Sequence, residues 1–197
     1  LINNAGYDLY GAVEETSSAE LSAQMTTNFT GAVELMRAVL PHLRAQGGGR
    51  IINLSSIGGL VSLPFNSAYA ASKYALEGFS EALRYEVLRH NIYVSLVEPG
   101  PVRTDTLDTS IQSTRSDHPL YAGARQRLIA AMRETGRTSS VTPDQIARVV
   151  EQIIASPAPR LRYPVGLMAR LLPLAKGLLP SSVFEGFMLR QFVSDPA

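Results

Sequence analysis

Short β-branched runs alternate with long helical periodicities along this chain, and that alternation restricts the fold more than any other feature. Arg50-Ile51-Ile52-Asn53-Leu54-Ser55-Ser56 is a brief apolar run ending in hydroxyls, as expected of a strand buried on both faces of a parallel sheet. It follows a helical stretch from about Ala19 to Arg44, with Leu35, Met36, Val39 and Leu43 at core spacing. A second helix from about Ser67 to Arg89 comes next, with Leu76, Phe79, Leu83 and Val87 as its buried stripe. Gln46-Gly47-Gly48-Gly49 stops the first helix, since glycine tolerates the left-handed conformation beyond a helix end. Asn91 to Val97 reads as a further strand, closed by Glu98-Pro99-Gly100-Pro101. Such alternation predicts an α/β fold, a doubly wound parallel sheet with helices on both faces.

The 197 residues show no composition break, so residues 1–197 are expected to form one domain. From Thr104 to about Val141 the pattern loosens, with a helix expected near Gly123 to Glu134. Thr142-Pro143-Asp144-Gln145 then carries a cap, a first-turn proline and a capping-box glutamine. Ile146, Val149, Val150, Ile153 and Ile154 form the apolar face of the helix it starts, Pro157 and Pro159 end it, and Arg160 to Val165 reads as a last strand. Segments 104–141 and 166–197 are expected to build a substrate pocket or a subunit contact. The leucines of the tail (Leu171, Leu172, Leu174, Leu178 and Leu179) fit a lipophilic substrate, a core, a subunit contact or a membrane-surface face. Arg170, Lys176 and Glu185 interrupt the tail from Gly166 to Phe192, so no uncharged stretch in it reaches the roughly 20 residues of a membrane span.

With 18 Lys and Arg against 17 Asp and Glu, a formal charge of +1 gives no basic field for nucleic acid, and a small-molecule substrate fits better. The absence of cysteine removes disulfides, thiol nucleophiles and thiolate metal sites, and accords with an expected cytoplasmic location. His42, His90 and His118 are too scattered for metal-ligand spacing, so no metal is expected.

Tyr69 and Lys73 stand four apart at the start of the second long helix, so their side chains project from one face about a turn apart. A free phenol, with a pKa of about 10, is a poor base at neutral pH, and a nearby ammonium would favour its phenolate. As an isolated match the pair is equally a solvated lysine beside a half-buried tyrosine. Ser56 adds a hydroxyl at the carboxyl end of a parallel strand, the edge where open α/β sheets place ligands. Ser55, its neighbour, would face the other way.

Asn3-Asn4-Ala5-Gly6, Asn28, Ser56, Tyr69-Ala70-Ala71-Ser72-Lys73 and Pro99-Gly100-Pro101-Val102-Arg103-Thr104 resemble, in order, the motifs of the short-chain dehydrogenase/reductases. Tyr69 lies 13 residues after Ser56 (69 − 56) and Ser56 lies 28 after Asn28 (56 − 28), close to the family's arrangement. The likeness covers residues 1 to about 104 and is nearest in pattern to the hydroxysteroid and retinol dehydrogenase-like members. It implies a Rossmann-like fold and an NAD- or NADP-dependent oxidoreductase that interconverts an alcohol and a carbonyl. Tyr69 would exchange the substrate proton. Lys73 would lower the tyrosine pKa and hold the nicotinamide ribose, and Ser56 would hydrogen-bond the substrate oxygen. Asn28 would retain a relay water; an asparagine there equally serves to bend the helix or bond across to a strand. Asn4, Ala5 and Gly6 would lie along the cofactor, with Asn3 tying strands together. Pro99 and Gly100 would turn beneath the nicotinamide, and Val102 and Thr104 would meet its carboxamide. A homo-oligomer through the two long helices is implied as well.

The family's glycine-rich turn is not found in these residues, and Gly47 to Gly49, after a helix and before a strand, is in the wrong order for a phosphate cradle. Leu1 falls within what reads as a buried strand, so an N-terminally truncated sheet lacking about its first three strands is expected, with weak cofactor binding by the chain alone. Two other readings stay open: a non-catalytic relative of the same fold, and a sugar-nucleotide epimerase or dehydratase, which shares the tyrosine-lysine pair.

Overall fold

The computed structural model describes residues 1–104, 111–114 and 118–192, with backbone alone for 111–113; the rest of the expected segments 104–141 and 166–197 lies outside them. Strands β1 (Ile2–Asn3), β3 (Gly49–Leu54), β4 (Ile92–Pro99) and β6 (Arg162–Val165) form one parallel sheet in the order β1-β3-β4-β6. Ile51 and Ile52 of β3, and Val94, Leu96 and Val97 of β4, are almost wholly buried, which explains why these strands read as continuous apolar runs. The register places Asn3 beside Asn53, where Asn3 Nδ2 donates to Asn53 Oδ1 at 2.7 Å. Asn53 passes the chain on by donating to Ser80 Oγ at 2.8 Å, so Asn3 does tie strands together.

Helices cover both faces of this sheet. On one, α2 (Gly31–Ala45) and α3 (Ser67–Val87) bury Met36, Leu43, Leu76, Leu83 and Val87 against Ile51, Ile92 and Val94. On the other, α5 (Pro143–Ala155) packs Ile153 against Ile52, Val97 and Val165. The capping box forms as expected: Thr142 accepts from the Gln145 N–H, and the Gln145 side chain accepts from the Thr142 N–H. Leu35 and Ile154, expected in the core, are 55% and 54% exposed, because each lies at the margin of its helix's apolar arc.

The first helical stretch is three segments: α1 (Ser18–Met25), a π-helical turn (Thr26–Thr30) and α2. The helix expected near Gly123 to Glu134 is longer, α4 (Pro119–Thr138), with Pro119 in its first turn and His118 accepting from the Leu120 N–H. Two strands escaped the sequence reading: β2 (Asp8–Tyr10) and β5 (Ile111–Ser113) pair in parallel as a separate small sheet. The tail forms helices α6 (Leu167–Leu178) and α7 (Ser181–Phe192). No helix among the described residues is long and apolar enough to cross a membrane.

Candidate active site

The carboxyl ends of β3 and β4, the start of α3, strand β2 and the two tail helices enclose a cavity of about 620 Å³. Each wall has a local cause. After β3, Ser56 adopts an extended backbone and accepts the Gly58 N–H on its hydroxyl at 3.0 Å, capping a 3₁₀ turn (Ile57–Gly59). That turn runs so close to α3 that a Cβ on Gly58 would lie 2.8 Å from Tyr69 Cε1, and one on Gly59 2.9 Å from the Ser55 hydroxyl. Ser55 is buried and Ser56 reaches the cavity beside Tyr69.

The start of α3 is pinned by β2. Phe65 has a left-handed backbone (φ 55°), uncommon for a bulky residue, and its carbonyl accepts from the Gly11 N–H at 2.8 Å. Asn66 then donates to the Leu9 carbonyl at 3.2 Å. Three residues on, Tyr69 lines the cavity together with Ser56, whose hydroxyl is near enough to favour the phenolate. One turn later, Lys73 is 5% exposed and donates to the Leu54 carbonyl at 2.7 Å, its ammonium 5.7 Å from the Tyr69 ring centroid.

Asn28 sits in the π-helical turn, buried, with its bonds directed at the backbone after β1. It accepts from the Tyr7 N–H at 3.1 Å and donates to the Tyr7 carbonyl at 3.0 Å and to Ser72 Oγ at 3.2 Å. Ser72 in turn donates to the Tyr69 carbonyl at 2.7 Å. The extra residue of a π turn is what lets the Asn28 side chain leave the helix and make these bonds. Gly6 lies between Asn28 and Lys73: a Cβ there would be 3.3 Å from Asn28 Oδ1 and 3.7 Å from Lys73 Nζ.

Asn4, Ala5 and Gly6 form an exposed loop running from β1 past the Lys73 ammonium. Across the cavity, Pro99, Gly100, Val102 and Thr104 contribute to its wall. This turn is fastened by the Gly100 N–H to the Val165 carbonyl at 3.0 Å and the Arg103 N–H to the Val141 carbonyl at 2.8 Å. Leu54 takes one of the three Lys73 protons, and the ammonium lies beside the small residues of the Asn4 to Gly6 loop, so the donor set suits the nicotinamide-ribose end of a dinucleotide. Gly47 to Gly49 lie far from this end: Gly47 and Gly48 have positive φ and Gly49 enters β3, the helix stop expected.

The electrostatics differ from expectation in one respect. The Tyr69 phenol is pushed above its ordinary value, chiefly by burial and then by the Asp8 carboxylate, with the Ser56 hydrogen bond opposing. Lys73 does not reverse this, because its ammonium is directed to Leu54 rather than to the phenol oxygen. Burial lowers Lys73 itself to about 8, against the pull of Asp8 and Glu77. Asp8 is raised to about 6 by burial, which outweighs its bond from Asn66 and the Lys73 charge. A neutral phenol that shares a cavity wall with a hydroxyl can act as a general acid toward an oxygen gaining negative charge.

Asp8, Tyr10 and Asn66 are wall residues that motif reading missed. Their signal is faint: β2 has three residues, too few for a periodicity. The apolar remainder of the wall includes Val61 and Leu63 after β3, Met132 of α4, Met168 and Leu172 of α6, and Phe187 of α7.

Residues 1–115 match the family described as short chain dehydrogenase. Over 185 residues the chain is 40% identical to an uncharacterized oxidoreductase, YbbO, of Escherichia coli, an alignment spanning 94% of this chain and 65% of that protein. Over 168 residues it is 39% identical to retinol dehydrogenase 8 of Bos taurus, spanning 82% of this chain and 54% of that one. The chain thus spans less than two thirds of the length of both. A short-chain dehydrogenase from Streptomyces avermitilis superposes with a TM-score of 0.77 at 32% identity, over 97% of this chain and 68% of that structure.

Proposed function

From the premise that the chain belongs to the short-chain dehydrogenase family, we propose that its cavity is the active site of an NAD(P)-dependent oxidoreductase interconverting an alcohol and a carbonyl, with Tyr69 as the general acid/base. The observation that carries this reading is that Tyr69 and Ser56 line one cavity, with the Lys73 ammonium 5.7 Å from the Tyr69 ring centroid. The nicotinamide supplies or accepts the hydride when bound; Lys73, the loop Asn4 to Gly6, Pro99, Gly100, Val102 and Thr104 are the residues proposed to hold it.

In the reduction direction, Ser56 and Tyr69 bind the carbonyl oxygen and orient its carbon. As that oxygen gains charge, the phenol gives up its proton, and Ser56 stabilises the remaining charge by a hydrogen bond. Lys73, whose ammonium is directed at the Leu54 carbonyl, holds the first turns of α3 against the end of β3. Asn28, through Ser72 and the Tyr69 carbonyl, holds the first turn of α3 in register; its proposed contribution to proton supply stands beside that structural duty. The apolar wall from α4, α6 and α7, and a relative named for retinol, support a lipophilic substrate. We place the protein in the cytoplasm and as a homo-oligomer through α2 and α3, whose outer faces carry the exposed Leu35 and Tyr85.

Titration with NADH and NADPH, followed by a carbonyl and alcohol panel on the native protein and Tyr69→Phe, tests this. Nucleotide binding with turnover lost in Tyr69→Phe is the expected result. Turnover surviving the substitution rejects Tyr69 as the proton donor, and binding of neither nucleotide favours a non-catalytic relative of the fold.

A further inference from the structure

One carboxylate stands among the described residues that line the cavity. Asp8, on β2, is the single acidic residue among the described residues lining it, and no lysine, arginine or histidine among them shares that lining. Its neighbours leave the charge incompletely matched. Asn66 Nδ2 reaches Asp8 Oδ1 at 3.5 Å, at the outer limit of a hydrogen bond, and spends its better bond on the Leu9 carbonyl at 3.2 Å. Lys73 is close enough to attract Asp8 but donates to Leu54. The other titratable groups facing Asp8 are the Tyr10 and Tyr69 phenols, which offer no positive charge.

A carboxylate in an apolar pocket is costly unless a hydrogen-bonded cation meets it, and a ligand can supply that partner. Resting on the oxidoreductase reading of the same cavity, we propose that Asp8 is a specificity-determining residue that selects substrates carrying an ammonium next to the reacting alcohol or carbonyl carbon, attached to an apolar chain. The geometry is compatible: Asp8 shares the wall with Tyr69 and Ser56, where the reacting oxygen binds, while Met132, Leu172 and Phe187 line the remainder and take the hydrocarbon. The pairing would also benefit the chemistry. The Asp8 charge opposes ionisation of Tyr69, and an ammonium bound between substrate carbon and Asp8 offsets that opposition in the complex.

The test is calorimetric binding, at pH 7.5 with saturating NADH or NADPH so that no alcohol is oxidised. Three ligands of one shape are compared: 1-amino-2-octanol, 1,2-octanediol and 3-nonanol, which place an ammonium, a hydroxyl and a methyl at the same position. The native protein is expected to bind the amine about ten- to a hundredfold more tightly than 3-nonanol, the range of a charged hydrogen bond in such a site. In Asp8→Asn the ratio should fall to about one. Equal binding of amine and 3-nonanol by the native protein overturns the proposal without recourse to any variant. Binding of the diol as tight as the amine overturns the selection of a cation. Amine preference without oxidation of 1-amino-2-octanol when NAD+ or NADP+ replaces the reduced nucleotide leaves the recognition by Asp8 standing and rejects the oxidoreductase reading instead.

Discussion

Lys73 Nζ donates to the Leu54 carbonyl at 2.7 Å, which fastens the first turns of α3 to the end of the strand that delivers Ser56. Tyr69, Lys73 and Ser56 are therefore positioned as one unit, although they come from two elements separated by a loop. The same bond shows why the ammonium does not depress the phenol: its direction is set by a backbone acceptor.

Burial of this ammonium makes Lys73 a source of pH-dependent stability. Its folded pKa of about 8 lies below the ordinary 10.5, so between those values the unfolded chain binds the extra proton and stability rises with pH. Lys73→Met should stabilise the fold at pH 7 by about 1–3 kcal/mol, the shift less the lost Leu54 bond, and abolish the rise between pH 8 and 10.5. Denaturant melts across that range check it; a variant less stable than the native protein at pH 7 counts against the argument.

Gly58 leaves room for the Tyr69 ring. A methyl group there would sit 2.8 Å from Cε1 and 3.3 Å from Cδ1 of that ring, and the ring cannot yield without moving the phenol from Ser56. Gly58→Ala is expected to lower kcat about tenfold or more with little change in melting temperature. Unchanged kcat would show that the ring has slack.

Arg162 bonds three carboxylates: Glu77 and Glu81 of α3, and Glu98 of β4, the last two at 2.9 and 2.8 Å. Burial and the neighbouring Glu98 raise Glu77, against the pull of Arg162. A raised carboxyl binds its proton in the folded state, so its stability contribution is present at low pH and lost as pH rises through the folded value. Arg162→Gln should cost about 2 kcal/mol at pH 8 and less at pH 5, as measured by urea unfolding.

Glu15 and Arg125 form a buried ion pair joining the loop after β2 to α4, and Glu15 also accepts from the Ala12 and His118 N–H groups at 3.0 and 2.9 Å. Burial acts to raise this carboxyl, but the guanidinium and the two N–H groups outweigh it and its pKa is lowered. The resulting stability is complete above the ordinary carboxylate range and disappears as pH falls through the folded value. Arg125→Met should cost about 3 kcal/mol near pH 7 and soften the acid limb of the stability profile.

The parallel sheet and the two long helices were legible because each rests on a local rule (β-branched runs, helical spacing, glycine stops, a capping box), whereas the order Asn28, Ser56, Tyr69, Lys73 was legible only through the resemblance to a family. Local rules could not show that Thr26–Thr30 is a π turn, since one extra residue in a helix leaves the apolar pattern nearly unchanged. Nor could they show β2, whose pairing partner β5 lies about a hundred residues away and whose hydrogen bonds are all long-range. The tail leucines were ambiguous for the same reason, and the fold divides them: Leu172 faces the cavity, while Leu178 is 83% exposed.

Local sequence encodes which chemical groups this protein has and, for the long helices and buried strands, which element carries them, including the spacing that puts Tyr69 and Lys73 on one helical face. Tertiary structure alone decided what those groups experience. It aimed the ammonium at Leu54, brought the phenol and Ser56 to one cavity and set the Asp8 carboxylate into the same wall. The reason is physical: side-chain identity and helical phase are encoded within a few residues, whereas solvation and the direction of a charge depend on neighbours that only the folded chain assembles.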